Sequence, residues 1–151
     1  MKRSGPDTIV FLVGDVSRAV RRCFETAITS GGLEVTVGES RTLFHAGLYD
    51  GIRQAALAER MSIEPMTLVN YLDRLEARGW IARETDPNDR RAKIVRVTPA
   101  AAPLVEKLQA MARDVRRQAV AGLSEREIEV VSRALERMRG NLAASVEQAV
   151  A

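Results

Sequence analysis

Apolar residues recur every three or four positions along several stretches of the chain, a period typical of amphipathic helices. The first stretch begins at Thr8, ends before Gly31-Gly32 and contains Ile9, Leu12, Val13, Val16, Ala19, Val20, Cys23 and Ala27. Thr36 can cap a second helix, which Gly47 weakens and Gly51 ends, with Leu43, Phe44 and Leu48 as apolar positions. The N-terminal third is therefore predicted to be helical.

Two shorter helices follow, separated by a three-residue break after Met61. The first covers residues 54–61, and its predicted apolar side consists of Ala55, Leu57, Ala58 and Met61. Ser62 suits an N-cap, and proline is tolerated in a first turn, so Pro65 places the start of the second helix. This helix is predicted to end near Arg78, before Gly79, and to bury Leu68, Leu72 and Leu75.

The pattern changes after Gly79. Residues 80–85 and 94–98 are rich in β-branched or aromatic side chains, and a Pro-Asn-Asp sequence between them favours a turn. We expect a β-hairpin with a loop over residues 86–93. Thr98-Pro99 then starts another helix, with a capping residue followed by proline.

The last two helices have long apolar stripes. The fifth presents Leu104, Leu108, Met111, Val115 and Ala119, and ends before Gly122. A capping box at residues 124–127 begins the sixth, whose apolar positions follow nearly heptad spacing: Ile128, Val131, Leu135, Met138, Leu142 and Val146. So much apolar surface on a terminal helix predicts a homodimer, although packing within one chain would also cover it.

Composition narrows the class of protein. With 151 residues, 46% hydrophobic and 28% charged, the chain has the size and composition of one globular domain. Its 23 basic and 20 acidic residues permit an anionic partner without identifying one. A single cysteine and the lack of a signal-like or membrane-spanning segment predict a cytoplasmic protein.

No enzymatic motif is apparent. Cys23 and His45, the one cysteine and the one histidine, lie 22 positions apart and have no metal-ligand spacing. No nucleophile motif or phosphate-binding glycine loop is present. We therefore expect no catalytic residues, no metal and no cofactor.

Two short helices joined by a tight turn predict a helix-turn-helix, whose second helix contacts base edges in the major groove of double-stranded DNA. Asn70 could pair with adenine, Thr67 could contact a thymine methyl or a phosphate, and Arg74 could meet the backbone. Alternatively, Asn70 is a solvated residue and Tyr71 a half-buried core ring. The predicted contact residues are Pro65, Met66, Thr67, Asn70, Tyr71 and Arg74.

The hairpin loop carries a second group of candidate contacts. Asp89, Arg90, Arg91 and Lys93 lie in it, and Asp89 could brace a guanidinium by a charge-assisted pair. Arginines on such a loop suit a narrow minor groove, where the negative potential is enhanced. The alternative is a solvated turn that contributes solubility.

Residues 63–81 followed by the sequence DPNDRRAKIVRVT resemble the MarR/SlyA family of regulators. The resemblance implies a mainly α fold with a small β-hairpin wing: a winged helix-turn-helix over about residues 36–98, with dimerisation helices over about 8–30 and 99–148. It also implies that Asp89 positions Arg91 for the minor groove, with Arg90 beside it. Met66, Asn70 and Ser40 depart from residue types frequent in the family.

The resemblance further implies a small phenolic or carboxylate effector bound between the dimer region and the DNA-binding lobes. Candidate pocket residues combine cations with apolar walls: Arg18, Arg22, Phe44, His45 and Tyr49. Cys23 lies on an apolar stripe, so a buried, inert thiol is expected rather than an oxidant sensor.

These features together predict a homodimeric, ligand-responsive repressor that binds an inverted-repeat operator. A winged-helix module that binds a protein partner, with little operator affinity, is the alternative, and the balanced net charge favours it.

Overall fold

The computed structural model describes residues 6–49 and 51–150 and confirms a mainly helical fold with a small antiparallel sheet. The helices are α1 (Pro6–Ser30), α2 (Val37–Ala46), α3 (Gln54–Met61), α4 (Pro65–Ala77), α5 (Ala102–Ala119) and α6 (Glu125–Val150). The strands are β1 (Ile52–Arg53), β2 (Ile81–Asp86) and β3 (Asp89–Val97), and a 3₁₀ turn at Pro99–Ala101 precedes α5. One compact unit ends at Val115 and the next begins at Arg116.

The sheet has the strand order β1-β3-β2, and both pairings are antiparallel. The strands of the hairpin continue almost to its tip, so the predicted loop over residues 86–93 is wrong. Pro87 and Asn88 form the turn, and Asp89 already belongs to β3. The two-residue strand β1, which pairs Ile52 with Val95, was not predicted.

Helix α4 supplies the centre of the core in the first unit. Leu68, Leu72 and Leu75 are completely buried, as their spacing predicts. They share one cluster with apolar residues from every other helix of that unit and from the sheet, including Ile28, Leu43, Leu57, Val95 and Leu108. The position of α4 is therefore set by close apolar packing on its inner side.

The ends of α2 and α3 differ from expectation. Helix α2 ends at Ala46 rather than Gly51, and Leu48 is exposed. A Cβ at Gly47 would lie 2.8 Å from a methyl carbon of Val105, so a glycine allows α2 and α5 to approach closely at this point. Ser62 is the C-cap of α3, with φ of 52°, and not the N-cap of α4. Glu64 holds that N-cap position, and Ala55 is exposed rather than on the apolar side of α3.

The terminal helices keep much of their apolar surface exposed. Helix α1 begins two residues before the predicted start, and its first half exposes Ile9, Val10, Phe11, Leu12, Val13 and Val16. The predicted capping box of α6 is confirmed, because Ser124 N–H donates to Glu127 and Glu127 N–H donates to Ser124. Helix α6 exposes Val130, Val131, Leu135, Leu142 and Val146. Cys23 is also exposed, so the expectation of a buried thiol is wrong.

Candidate nucleic-acid interface

The outer face of α4 carries the predicted recognition residues. Pro65 occupies the first turn, where its missing N–H costs no helical hydrogen bond. Met66, Asn70 and Arg74 are exposed and Thr67 is half-buried, so this face points away from the leucines of the core. The arrangement presents one apolar, one amide and one cationic side chain on a single helix face.

Tyr71 packs against α2 as well as bordering this face. Its ring is half-buried, and a Cβ at Gly38 would lie 2.3 Å from the ring Cζ. The ring therefore fills the space that the glycine leaves. This contact supports the core-ring interpretation of Tyr71, while its predicted contact with DNA stays a prediction.

Arg74 has a partner at the start of α2. Its Nη1 lies 3.7 Å from Oε1 of Glu39, whose side chain is almost fully buried. The other carboxylate oxygen of Glu39 accepts a hydrogen bond from Thr36 N–H at 2.9 Å, and Glu39 N–H donates to Thr36, which forms the capping box of α2. The Arg74 side chain is 59% exposed, so it remains accessible to a phosphate.

The four predicted wing residues lie at the start of β3 and are exposed. Asp89 does not brace a guanidinium. Its Oδ1 accepts a hydrogen bond from the backbone N–H of Arg91 at 3.1 Å, and among the described residues neither Arg90 nor Arg91 forms an ion pair. Lys93 donates from Nζ to Thr85 Oγ1 across the hairpin at 3.0 Å. Within the described part of the chain, both arginines thus present guanidinium groups that have no acidic partner.

An ionic cluster joins the wing to α4. Arg83 of β2 donates from Nε and Nη2 to Glu76 Oε2, at 3.0 and 2.5 Å, and from Nη2 to Asp73 at 2.6 Å. The backbone N–H of Arg83 also donates to Glu76, at 3.1 Å. The hydrogen bonds that the Arg83 side chain donates to Glu76 lower the pKa of Glu76 and raise the pKa of Arg83. The cluster makes the wing and the recognition helix neighbouring parts of one body.

A second ion pair lies near the wing turn. Asp86, the last residue of β2, is buried. Its Oδ2 accepts a hydrogen bond from Nε of Arg53 at 2.7 Å and lies 2.6 Å from Nη2 of the same guanidinium. Its Oδ1 accepts from Asn88 N–H at 2.8 Å. The hydrogen bond from Asn88 N–H, aided by Arg53, lowers the pKa of Asp86.

The candidate effector residues differ in their contacts, and their binding of an effector stays a prediction. Phe44 contacts His45 edge-on and also stacks obliquely against Phe24, while Arg18 pairs with Asp15 on the exposed side of α1. Burial and the nearby Arg41, Arg60 and Arg21 lower the pKa of His45. Arg22 is exposed.

Tyr49 lines an open cleft of about 420 Å³, and Cζ of Arg60 lies 4.8 Å from the centroid of its ring. The cleft is lined by the loop after α2, the end of β3 and the start of α5, including Gly51, Arg96, Thr98 and Glu106. Across the ranges that the structure describes, no group of histidine, cysteine and acidic side chains could hold a metal ion. No described helix is long and apolar enough to cross a membrane.

Helices α3 and α4 with the adjoining hairpin define a winged helix-turn-helix protein. Residues 35–93 match the MarR family. The transcriptional regulator PA3341 is 31% identical to the chain, with a TM-score of 0.78 over 90% of this chain and 98% of that one. For the transcriptional regulator SlyA, the identity is 26% and the TM-score 0.71, over 91% and 95% of the two chains. This chain belongs to the MarR family of transcriptional regulators.

A further solved structure holds DNA. A mutant MarR from E. coli, complexed with operator DNA, shares 22% identity, with a TM-score of 0.66 over 87% of this chain and 93% of that one. At this identity the likeness shows the fold alone.

Several residues that shape this surface were not singled out from the sequence: Gly38, Glu39, Arg53, Asp73, Glu76 and Arg83. The spacing of Thr36 and Glu39 is a capping-box pattern that could have identified Glu39. The other contacts join residues from different elements, such as Arg53 and Asp86, which are 33 positions apart. No local pattern encodes such pairs.

Proposed function

We propose that the protein binds operator DNA as a homodimer and acts as a ligand-responsive repressor. One observation carries this proposal: the Arg83 cluster fixes α4, which has an exposed outer face, to strand β2 of the hairpin, and the partner strand β3 begins with two exposed arginines. A helix with exposed polar side chains suits the major groove, and unpaired arginines suit a narrow minor groove. The E. coli MarR mutant, which has the same fold, is complexed with operator DNA, and this supports DNA as the proposed partner.

The exposed apolar residues of the terminal helices support a dimer. Helix α1 exposes Phe11 to 70% and Leu12 to 54%, and helix α6 exposes Leu142 to 67%. Apolar runs of this kind are rare on monomers and are covered in stable assemblies. A two-fold dimer carries two recognition helices, so the operator would be an inverted repeat with half-sites about 34–36 Å apart.

The effector is proposed to be a small phenolic or carboxylate compound. The cleft beside Tyr49 lies against the end of β3 and the start of α5, and it has both apolar walls and polar groups. A ligand that binds better to a DNA-incompetent conformation would weaken operator binding by population shift. We propose in addition that the protein represses transcription while it is bound to the operator, and that it acts in the cytoplasm.

Selection of duplexes from a random library tests the proposal. We expect the full chain to enrich an inverted repeat, and footprinting to protect two major grooves together with their flanking minor grooves. Enrichment of a single unrepeated half-site per dimer would contradict the symmetric arrangement. If the folded protein enriches no duplex, operator binding is wrong and the protein-interaction module takes its place.

A further inference from the structure

The end of the wing contains one buried charged residue. Over residues 84–94, which the structure describes throughout, Asp86 alone is buried, with 3% of its surface exposed. Burying a carboxylate is costly unless hydrogen bonds and a counter-charge satisfy it. The groups that bond to Asp86 therefore account for its burial at this position of the wing.

The two oxygens of Asp86 have separate partners. Oδ1 accepts the N–H of Asn88 and so closes the two-residue turn. Oδ2 accepts a hydrogen bond from Nε of Arg53 and forms an ion pair with Nη2 of the same guanidinium. Arg53 is the last residue of β1 and the N-cap residue of α3. The pair therefore connects the turn of the wing to the start of the first helix of the helix-turn-helix.

Near its tip, the hairpin is paired only within itself. Strand β1 pairs with β3 at two positions, Val95 and Ile94, while β3 from Lys93 to its start is paired with β2 alone. The β2–β3 register is irregular between Thr85 and Asp86. An isolated two-stranded ribbon is marginally stable and twists readily. The direction of Arg90 and Arg91 thus depends on what fixes the turn.

We propose that Arg53 and Asp86 are a positioning pair for DNA binding, which holds the end of the wing so that Arg91 reaches the minor groove while α4 occupies the major groove. The inference rests on the proposed function. Holding the hairpin in its bound orientation before association lowers the ordering cost of binding. Arg53 acts by holding the wing in place and does not itself contact the DNA.

Arg53→Gln is the main test variant, and Arg53→Lys retains the charge without the contact through two nitrogens. Arg113→Gln, which alters an exposed arginine on α5, is the matched control. Amide hydrogen exchange in the absence of DNA comes first. We expect faster exchange at Asn88 and along residues 89–93 in Arg53→Gln, unchanged exchange in α4, and partial recovery in Arg53→Lys. Unchanged exchange in the wing would overturn the proposal, and so would faster exchange throughout the first unit.

Affinity is then measured for a duplex that the wild-type protein selects from a random library. We expect Arg53→Gln to bind roughly ten-fold more weakly, the effect of losing one charge-assisted contact. In an Arg91→Ala background the Arg53→Gln substitution should weaken binding less than it does in the wild-type protein, because the Arg91 contact that the pair positions is already lost. Additive losses would show that Arg53 contacts DNA directly and would overturn the positioning role.

Failure of the proposed function is distinguishable from failure of this inference. If the wild-type protein selects no duplex, operator binding is wrong and the proposed role in DNA binding falls with it, whatever the exchange result. If the wild-type protein selects a duplex and Arg91→Ala weakens its binding, but Arg53→Gln matches the Arg113→Gln control, the positioning pair alone is wrong.

Discussion

The recognition helix and the wing present side chains on one lobe, yet different forces hold them. Helix α4 is fixed from behind by three completely buried leucines, Leu68, Leu72 and Leu75. The hairpin buries Ile81 and Val95 near its base, but farther out its anchors are ionic, at Arg83 and Asp86. An apolar core is close-packed, so a substitution at one of its residues affects the packing of the whole lobe. Each ion pair, in contrast, can be removed by a single substitution.

This difference teaches where variants should act. Substitutions behind α4 should change the free energy of unfolding of the whole lobe. Substitutions of exposed wing residues should change DNA binding and leave that free energy nearly unaltered. The following predictions test this division, from the largest expected effect to the smallest.

Leu72→Ala should destabilise the protein by about 2–5 kcal/mol, because it removes buried methyl groups and leaves a cavity in close-packed surroundings. Denaturant unfolding measures the change. Met66→Ala, on the exposed side of the same helix, is the matched control and should change stability by less than about 0.5 kcal/mol. Equal effects of the two variants would contradict the assignment of the two faces.

Gly38→Ala should destabilise the protein by about 1–3 kcal/mol, because the new methyl group overlaps the ring of Tyr71. In a Tyr71→Ala background the same substitution should become neutral or stabilising by up to about 1 kcal/mol, since alanine favours the helix more than glycine does. Unfolding of all four proteins gives the coupling. Additive effects would mean that the ring does not occupy this space.

Asn70→Ala should reduce discrimination at one base position by about 1–3 kcal/mol if its amide pairs with an adenine. Affinities for the selected operator and for single-base variants of it measure the change. Thermal stability should stay constant, because Asn70 is exposed. A uniform loss over all duplexes would instead indicate a phosphate contact.

His45→Gln should remove a small dependence of stability on pH. The lowered pKa of His45 means that the unfolded chain takes up its proton first, near pH 6.5, so the wild-type protein loses stability as the pH falls below that value. The free energy of unfolding at pH 7.5 and 5.5 should differ less in the variant. Exchange rates in the wing should not change, and an identical pH dependence in both proteins would contradict the assignment.

Local pattern accounts for much of the fold. The bounds of α3 and the buried leucines of α4 follow from helical periodicity and from the position of proline. The capping box of α6 follows from its own local motif at residues 124–127. Strand β1 could not be predicted, because two residues are too short for an alternating pattern. Ser62 was predicted to be the N-cap of α4, but a serine in a three-residue break can cap either helix. Here it has a left-handed backbone conformation and is the C-cap of α3.

The candidate interface was predictable in part. In the structure Asn70 and Arg74 are exposed on α4, as predicted. Arg90 and Arg91 are exposed at the start of β3 rather than in a loop, and the contacts of all four with DNA stay predictions. What holds these elements together was not predictable. The Arg83 and Arg53 pairs join residues on different elements. The sequence also suggested that Asp89 pairs with a guanidinium, but among the described residues its carboxylate accepts from the backbone N–H of Arg91 instead.

The affinity of Arg91→Ala for the duplex selected by the wild-type protein tests the central claim most directly, with Arg113→Ala as a control of equal charge. A hydrogen bond that involves a charged group contributes about 1.5–3 kcal/mol, so we predict binding about 10- to 150-fold weaker than wild type, with an unchanged melting temperature. The control should lie within about two-fold of wild type by ordinary surface tolerance. Equal affinities for the two variants would contradict DNA binding through the wing.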